Sequence, residues 1–275
     1  MTQTQNSAQT DDAALKAKHA AMWAMGDYPA VVTEVIHSIG PVLVEATGIH
    51  AGDHVLDVAA GSGNAAIPAA RAGAQVVASD LTPSLLEAGK ARAEDLPIRW
   101  EEADAEALPY ADGSFDVVLS CLGVMFAPHH QAGADELVRV CRTGGTIGVL
   151  SWTPGGFIGQ LFATMKPYVP LPSPGVGPPP LWGSPEHVRF LFGDRVTDVE
   201  TRVATTPVAA FTTAEEFRDF FKTHYGPTVA AYRGIADEPD RVAALDADLA
   251  AFARRFDVGG GAMEWEYLLV TATAR

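Results

Sequence analysis

His54-Val55-Leu56-Asp57-Val58-Ala59-Ala60-Gly61-Ser62-Gly63-Asn64 begins as an apolar run of strand length. It passes through a turn of small residues into an alanine-rich helix that reaches Arg71. Small side chains let a ligand approach the backbone closely, and a helix start offers free N–H groups. Asp80 ends the next apolar run. A carboxylate there suits a ribose diol, as in dinucleotide-binding folds. The turn reads A-A-G-S-G-N, with Ala59 in the place of the first glycine of G-x-G-x-x-G. That order argues against a pyrophosphate and for a ligand without one.

Outward from this stretch, short apolar strands alternate with helices. Residues 74–79, 97–101, 115–121 and 146–152 read as further strands. Thr82-Pro83 opens a helix to about Ala93 by the N-cap and proline-at-N1 rules. Another helix spans about 132–141 and stops at Gly144-Gly145. Strand–helix alternation implies right-handed crossovers and a parallel sheet covered on both faces. Residues 1–10 read as a disordered leader. Asp11 or Asp12 caps a helix to Met25, and Val32, Val35, Ile36 and Ile39 follow at helical spacing up to Gly48. Residues 153–185 are rich in Pro and Gly and read as a long loop with one helix at 159–166. Residues 195–204 read as a sixth strand. Thr213-Ala214-Glu215-Glu216 is a capping box for a helix carrying Phe217, Phe220, Phe221 and Tyr225. Val242, Leu245, Leu249, Phe252 and Phe256 stripe another. Gly259-Gly260-Gly261 breaks the chain before a last strand at 265–271.

Composition bounds the partners. The chain has 275 residues, 48% hydrophobic and 19% charged, enough apolar content for a packed core. With 19 Lys+Arg against 34 Asp+Glu, the net charge is −15. Phosphate backbones and anionic membranes repel such a chain, so neither nucleic acid nor membrane is expected. No apolar run reaches spanning length, and the first residues lack a signal-peptide core. Cys121 and Cys141 read as free thiols, which points to the cytoplasm.

Five motifs in order make this sequence resemble a class I S-adenosylmethionine (SAM)-dependent methyltransferase, of the methyltransferase-11-like kind. Asp57 to Gly63 matches D-x-G-x-G-x-G with alanine in the first glycine slot, and Asp80 matches the ribose-binding acid. Ala103-Asp104-Ala105-Glu106-Ala107-Leu108-Pro109 resembles G-D-A-x-x-L-P, and residues 115–120 match the fourth-strand motif. Residues 137–145 resemble R-V-L-R-P-G-G with Thr143 for proline. The resemblance implies a Rossmann-like, seven-stranded, mostly parallel α/β sheet whose last strand is antiparallel, with helices on both faces and a helical and loop lid. A single methyltransferase domain would span 11–275, with its core at about 48–152, 195–205 and 263–275, and its lid at 11–47 and 153–262.

The resemblance also implies a division of labour. Backbone at Ala59, Gly61 and Gly63 lines the methionine part of SAM, and Asp57 orients its ammonium or supports the turn. Asp80 holds the ribose, Leu81 and Ala105 sandwich adenine, and Asp104 meets its edge. The carbonyl near Ser120 accepts from the amine. Tyr28 meets the SAM carboxylate or faces the substrate. After the fourth strand, His129 and His130 are candidate general bases, since an alcohol acceptor must lose a proton. Phe126, Trp152 and Trp182 are candidate substrate walls. No third ligand stands near the histidines, so no metal is expected. The implied activity is in-line methyl transfer to O, N or C of a small, partly apolar metabolite or natural product, releasing S-adenosylhomocysteine. The alternatives are SAM binding without transfer, or an NAD(P)-dependent oxidoreductase. The acceptor and the oligomeric state are not legible.

Overall fold

A computed structural model describes residues 3–256 and 262–275. Three helices come first: α1 (Gln3–Trp23), α2 (Tyr28–Val31) and α3 (Ile39–Thr47), with a wide helical turn at Val32–Ile36 between the last two. The core follows as β1 (His54–Val58), α4 (Ala66–Arg71), β2 (Gln75–Asp80), α5 (Pro83–Ala93), β3 (Ile98–Glu102), β4 (Phe115–Cys121), α6 (His130–Val140) and β5 (Cys141–Trp152). Beyond it lie α7 (Phe157–Met165), α8 (Pro185–Phe192), β6 (Val196–Val208), α9 (Ala214–His224), α10 (Gly226–Gly234), α11 (Pro239–Arg254) and β7 (Met263–Ala274).

The sheet order is β3-β2-β1-β4-β5-β7-β6. Strands β1 to β5 pair in parallel, and β7 runs antiparallel to both of its neighbours. This is the expected mostly parallel, seven-stranded α/β sheet. From β1 the chain steps to β2 and β3, then returns to β1's other side at β4. Right-handed crossovers therefore set α4 and α5 on one face and α6 on the other. The β1–β4 junction is the topological switch point, where open α/β sheets bind ligands beyond the strands' carboxyl ends.

Several local differences have physical causes. No Pro or Gly interrupts residues 3–23, so α1 runs through residues 3–10, where a disordered leader was expected. Met1, Thr2 and the Gly259-Gly260-Gly261 break lie outside the described residues. β5 starts at Cys141, and Gly144 at φ +73° absorbs a register shift against β4. Helices α8 and α10 were not expected. Each opens with proline in its first turn, where a missing N–H costs nothing. The Thr213–Glu216 capping box forms as expected, with the Glu216 N–H donating to Thr213 Oγ1 at 3.1 Å.

The late helices are bound to the sheet by aromatic packing. Trp265 of β7 stacks on Phe157 of α7 at 4.3 Å, and Phe157 meets Phe217 of α9 and Phe252 of α11. All four are buried, each stabilising by about 1.5–3 kcal/mol. Among the described residues, no single helix is long and apolar enough to cross a membrane.

Candidate active site

A cleft of about 1180 Å³, its open mouth included, lies at the carboxyl ends of the parallel strands. Residues after β1 (Ala59 to Ser62, Asn64), β2 (Asp80 to Thr82), β3 (Ala103 to Ala105) and β4 (Cys121 to Gly123) line it. Trp152 at the end of β5 closes the row.

The floor is strained. Ala59 sits at φ +53° and Leu122 at φ +61°, both in the left-handed region that disfavours a side chain. Such strain persists where the surroundings over-determine it, and it gathers at functional sites. Gly61, at φ +55°, has nothing within 4 Å of where a Cβ would lie, so ligand atoms have room there. Gly63 does not line the cleft. A Cβ on it would meet Trp100 at 2.6 Å, so this glycine serves packing against β3. Ala59→Gly should relieve about 1–2 kcal/mol of left-handed strain and lose about 0.4–1 kcal/mol to unfolded-chain entropy. A net gain of about 0.5–1 kcal/mol in urea denaturation is the expected outcome; a loss would mean the methyl group packs usefully.

Two carboxylates organise the turns. Asp80 Oδ2 accepts from the Gly61 N–H at 2.9 Å and Oδ1 from the Thr82 N–H at 2.8 Å. Burial raises its pKa against those bonds. Asp57 is fully buried and outside the cleft lining. Its Oδ2 accepts from the Ala66 N–H at 2.8 Å, while Oδ1 has no partner. Burial pushes its pKa up to about 7, helped by Asp80's charge. The folded pKa lies above the unfolded one, so the native state holds the proton longer. This contribution to stability is complete below about pH 4 and is lost as pH rises through 7. Ligand-free stability, read by urea denaturation, should therefore fall over that window, by a few kcal/mol at most. Asp57→Asn should flatten the fall; an unchanged profile would assign the proton elsewhere.

Helix α1, within the expected 11–47 lid, closes the Asp104 edge of the cleft through Lys16, a contact the sequence did not reveal. Lys16 Nζ lies 2.8 Å from Asp104 Oδ2, 2.7 Å from Glu106 and 3.0 Å from Asp12. Burial opposes its charge, but these hydrogen bonds outweigh it and hold the pKa well above the usual lysine range. Asp104 Oδ1 accepts from the Glu106 N–H. Its carboxylate is thus shared with a lysine rather than left open. Leu81 and Ala105 line the cleft as expected, as do Phe126 and Trp152. Tyr28 lines it too, and its hydroxyl accepts from the Gly226 N–H at 3.3 Å.

Two expectations need correction. His129 and His130 do not line the cleft. His129 Nε2 turns to Asp12 at 2.8 Å, and His130 Nδ1 faces His187 Nε2 at 2.9 Å. Burial lowers the His130 pKa to about 4. Trp182 is wholly buried, also outside the cleft, and packs against His130 and Phe192. At Ser120 the expected acceptor is the nearby backbone carbonyl; its buried hydroxyl donates to Val58 O and accepts from the Val124 N–H, each at 2.8 Å, and ties β4 to β1. Folding also brings Asp12 and Glu106 beside His129, a set with metal-ligand types. Lys16 already supplies the cation between those carboxylates. The cleft gains residues with no local signal: His19 and Trp23 of α1, and Tyr225 and Trp265 from the distant end of the chain.

A model of the methyltransferase domain matches residues 56–149, the strands and turns that build this floor. An uncharacterized protein of Mycobacterium tuberculosis is 53% identical over 256 residues, covering 92% of this chain and 93% of that protein. In structure, the chain is similar to the YcgJ protein of Bacillus subtilis, with TM-score 0.58, 16% identity, and 87% of this chain and 99% of that one covered. It is also similar to Haemonchus contortus phosphoethanolamine N-methyltransferase 2, solved with phosphomonomethylethanolamine and S-adenosylhomocysteine (TM-score 0.53, 16% identity, 86% and 52% covered). At these identities the two structures speak for the fold alone. With the fold, the ordered motifs and the domain match in agreement, the chain carries a methyltransferase domain at residues 56–149.

Proposed function

We propose that the protein transfers a methyl group from SAM to a small, partly apolar acceptor by in-line displacement. One observation carries the reading: a single cleft brings the polar groups of Asp80, Thr82 and Asp104 together with the aromatic rings of Trp23, Phe126, Trp152, Tyr225 and Trp265. A polar cofactor and an apolar acceptor suit such a lining.

The residues present fit SAM. The Asp80 carboxylate has about four lone-pair sites, two of them free of backbone N–H, for the ribose hydroxyls. Leu81 and Ala105 would flank adenine, with Asp104 at its edge, and the open space at Gly61 would admit the methionine part. Bound SAM supplies an electrophilic methyl on a sulfonium. The chain's own part is placement and exclusion of water, which supply much of the rate in such displacements. Residues 11–47, with those of 153–256 outside β6, act as the lid of a single domain in this reading, with α1 clamped through Lys16. Both cysteines are free thiols, and a cytoplasmic location goes with the proposal.

Calorimetry should show micromolar SAM binding, about −8 kcal/mol. No heat and no thermal shift with SAM or S-adenosylhomocysteine would sink the reading. Binding without turnover on a broad acceptor panel would leave a SAM-binding protein in its place.

A further inference from the structure

We propose that His19 is the general base of this site and that the acceptor is an uncharged, hydroxylated aromatic ring. The inference rests on the methyl-transfer reading above. Among the described residues, His19 is the imidazole that lines the cleft. It follows Lys16 by three positions on α1 and precedes Trp23 by four, so one helix face presents all three to the cavity. His19 thus stands between the Asp104 edge and the aromatic wall.

The other candidate bases are committed. Asp80 holds two backbone N–H groups, Asp104 is bound by Lys16, and Glu106 pairs with Lys16 and the His129 N–H. Tyr28 and Tyr225 are held protonated by burial. His19 is half-buried, and burial lowers its pKa despite a hydrogen bond to the Phe126 backbone and the nearby Glu106 charge.

The acceptor's chemistry follows from the wall. Trp23 meets Phe126 edge-on at 4.5 Å and Tyr28 at 5.6 Å, and Trp152 and Trp265 line the same space. Lys16, the cation of the cleft lining, is already matched by three carboxylates, so no free positive charge awaits an acidic or phosphorylated acceptor. A flat, neutral ring is what such walls bury best. In the step, the His19 nitrogen takes the hydroxyl proton as the acceptor oxygen bonds to the methyl carbon. The carbon–sulfur bond breaks and its electron pair stays on sulfur. His19 then returns the proton to water.

The test uses the full chain and 1-naphthol, 8-hydroxyquinoline and a flavonol, with 1-naphthylamine as the amine control. SAM binding is measured first by calorimetry, so failure there sinks the function reading separately. With SAM bound, the expected result is methylation of a hydroxyarene. Its rate should rise to a plateau through a pKa below about 6.5. The groups around His19 are Lys16 on its own helix, Glu106 and Asp104 after β3, and the Tyr28 and Tyr225 hydroxyls. Burial also raises the Asp57 and Asp80 carboxyls of the strand-end turns, so the rise is assigned to His19 by its loss in His19→Gln. His19→Gln keeps a polar side chain of similar reach but is no base. It should lower kcat about 10²–10⁴-fold and leave KM and SAM affinity within about threefold. Any of three results overturns the proposal: no transfer to the hydroxyarenes by a SAM-binding protein, transfer confined to the amine, or full turnover in His19→Gln.

Discussion

Asp80→Ala should weaken SAM binding by about 2–4 kcal/mol and destabilise the fold as well. The affinity loss follows from removing charge-assisted acceptors for two ribose hydroxyls. The stability loss arises because the same carboxylate holds the Gly61 and Thr82 N–H groups, so its removal unties the turns after both β1 and β2. A carboxylate at a strand end, judged from sequence, should matter little to folding; here it bridges two loops. Each N–H left without its acceptor costs about 1–3 kcal/mol, less where cleft water reaches it. About 2–3 kcal/mol of lost stability in urea denaturation is expected. Asp80→Asn should not rescue it, because an amide offers one acceptor where two donors converge. Undiminished affinity would make Asp80 purely structural. An unchanged denaturation midpoint would mean other contacts hold the turns.

Gly123→Ala should cost about 3 kcal/mol or more and abolish cofactor binding with it. A Cβ at Gly123 would overlap the Ala59 carbonyl oxygen and come within 2.7 Å of Ala59 Cβ. Neither side can retreat cheaply. Ala59 is already at positive φ, with the next N–H, of Ala60, donating to Ser79 O at 2.9 Å. Leu122 is likewise left-handed, its N–H donating to Leu150 O at 2.8 Å. The two strained turns after β1 and β4 touch at this point, and the cleft floor is the product. Gly155→Ala is the control, since a Cβ there meets no atom within 4 Å. It should change stability by less than about 0.5 kcal/mol. At about 2–4 °C per kcal/mol, thermal melts separate the two variants. Equal midpoints would show that the β1–β4 contact can relax.

By itself, the sequence determined the sheet and the strand-end turns. Short apolar runs, proline and serine or threonine starts, and glycine stops act within a few residues, so their meaning survives without neighbours. The strand–turn–helix at 54–71, the Thr82-Pro83 start and the Thr213–Glu216 capping box were legible for that reason. So was Asp80 at the cleft, because strand order and parallel register bring strand ends together. Only the tertiary structure decided which way side chains turn. His129 and His130 follow β4 as expected, yet they pair with Asp12, 117 positions away, and with His187, 57 away. Trp182 vanished into the core, and the left-handed strain at Ala59 could not be read from a small residue alone. Lys16 and His19 came to the cleft because α1 packs across it. A side chain's direction is set by the element packed against it, and no local pattern carries that information.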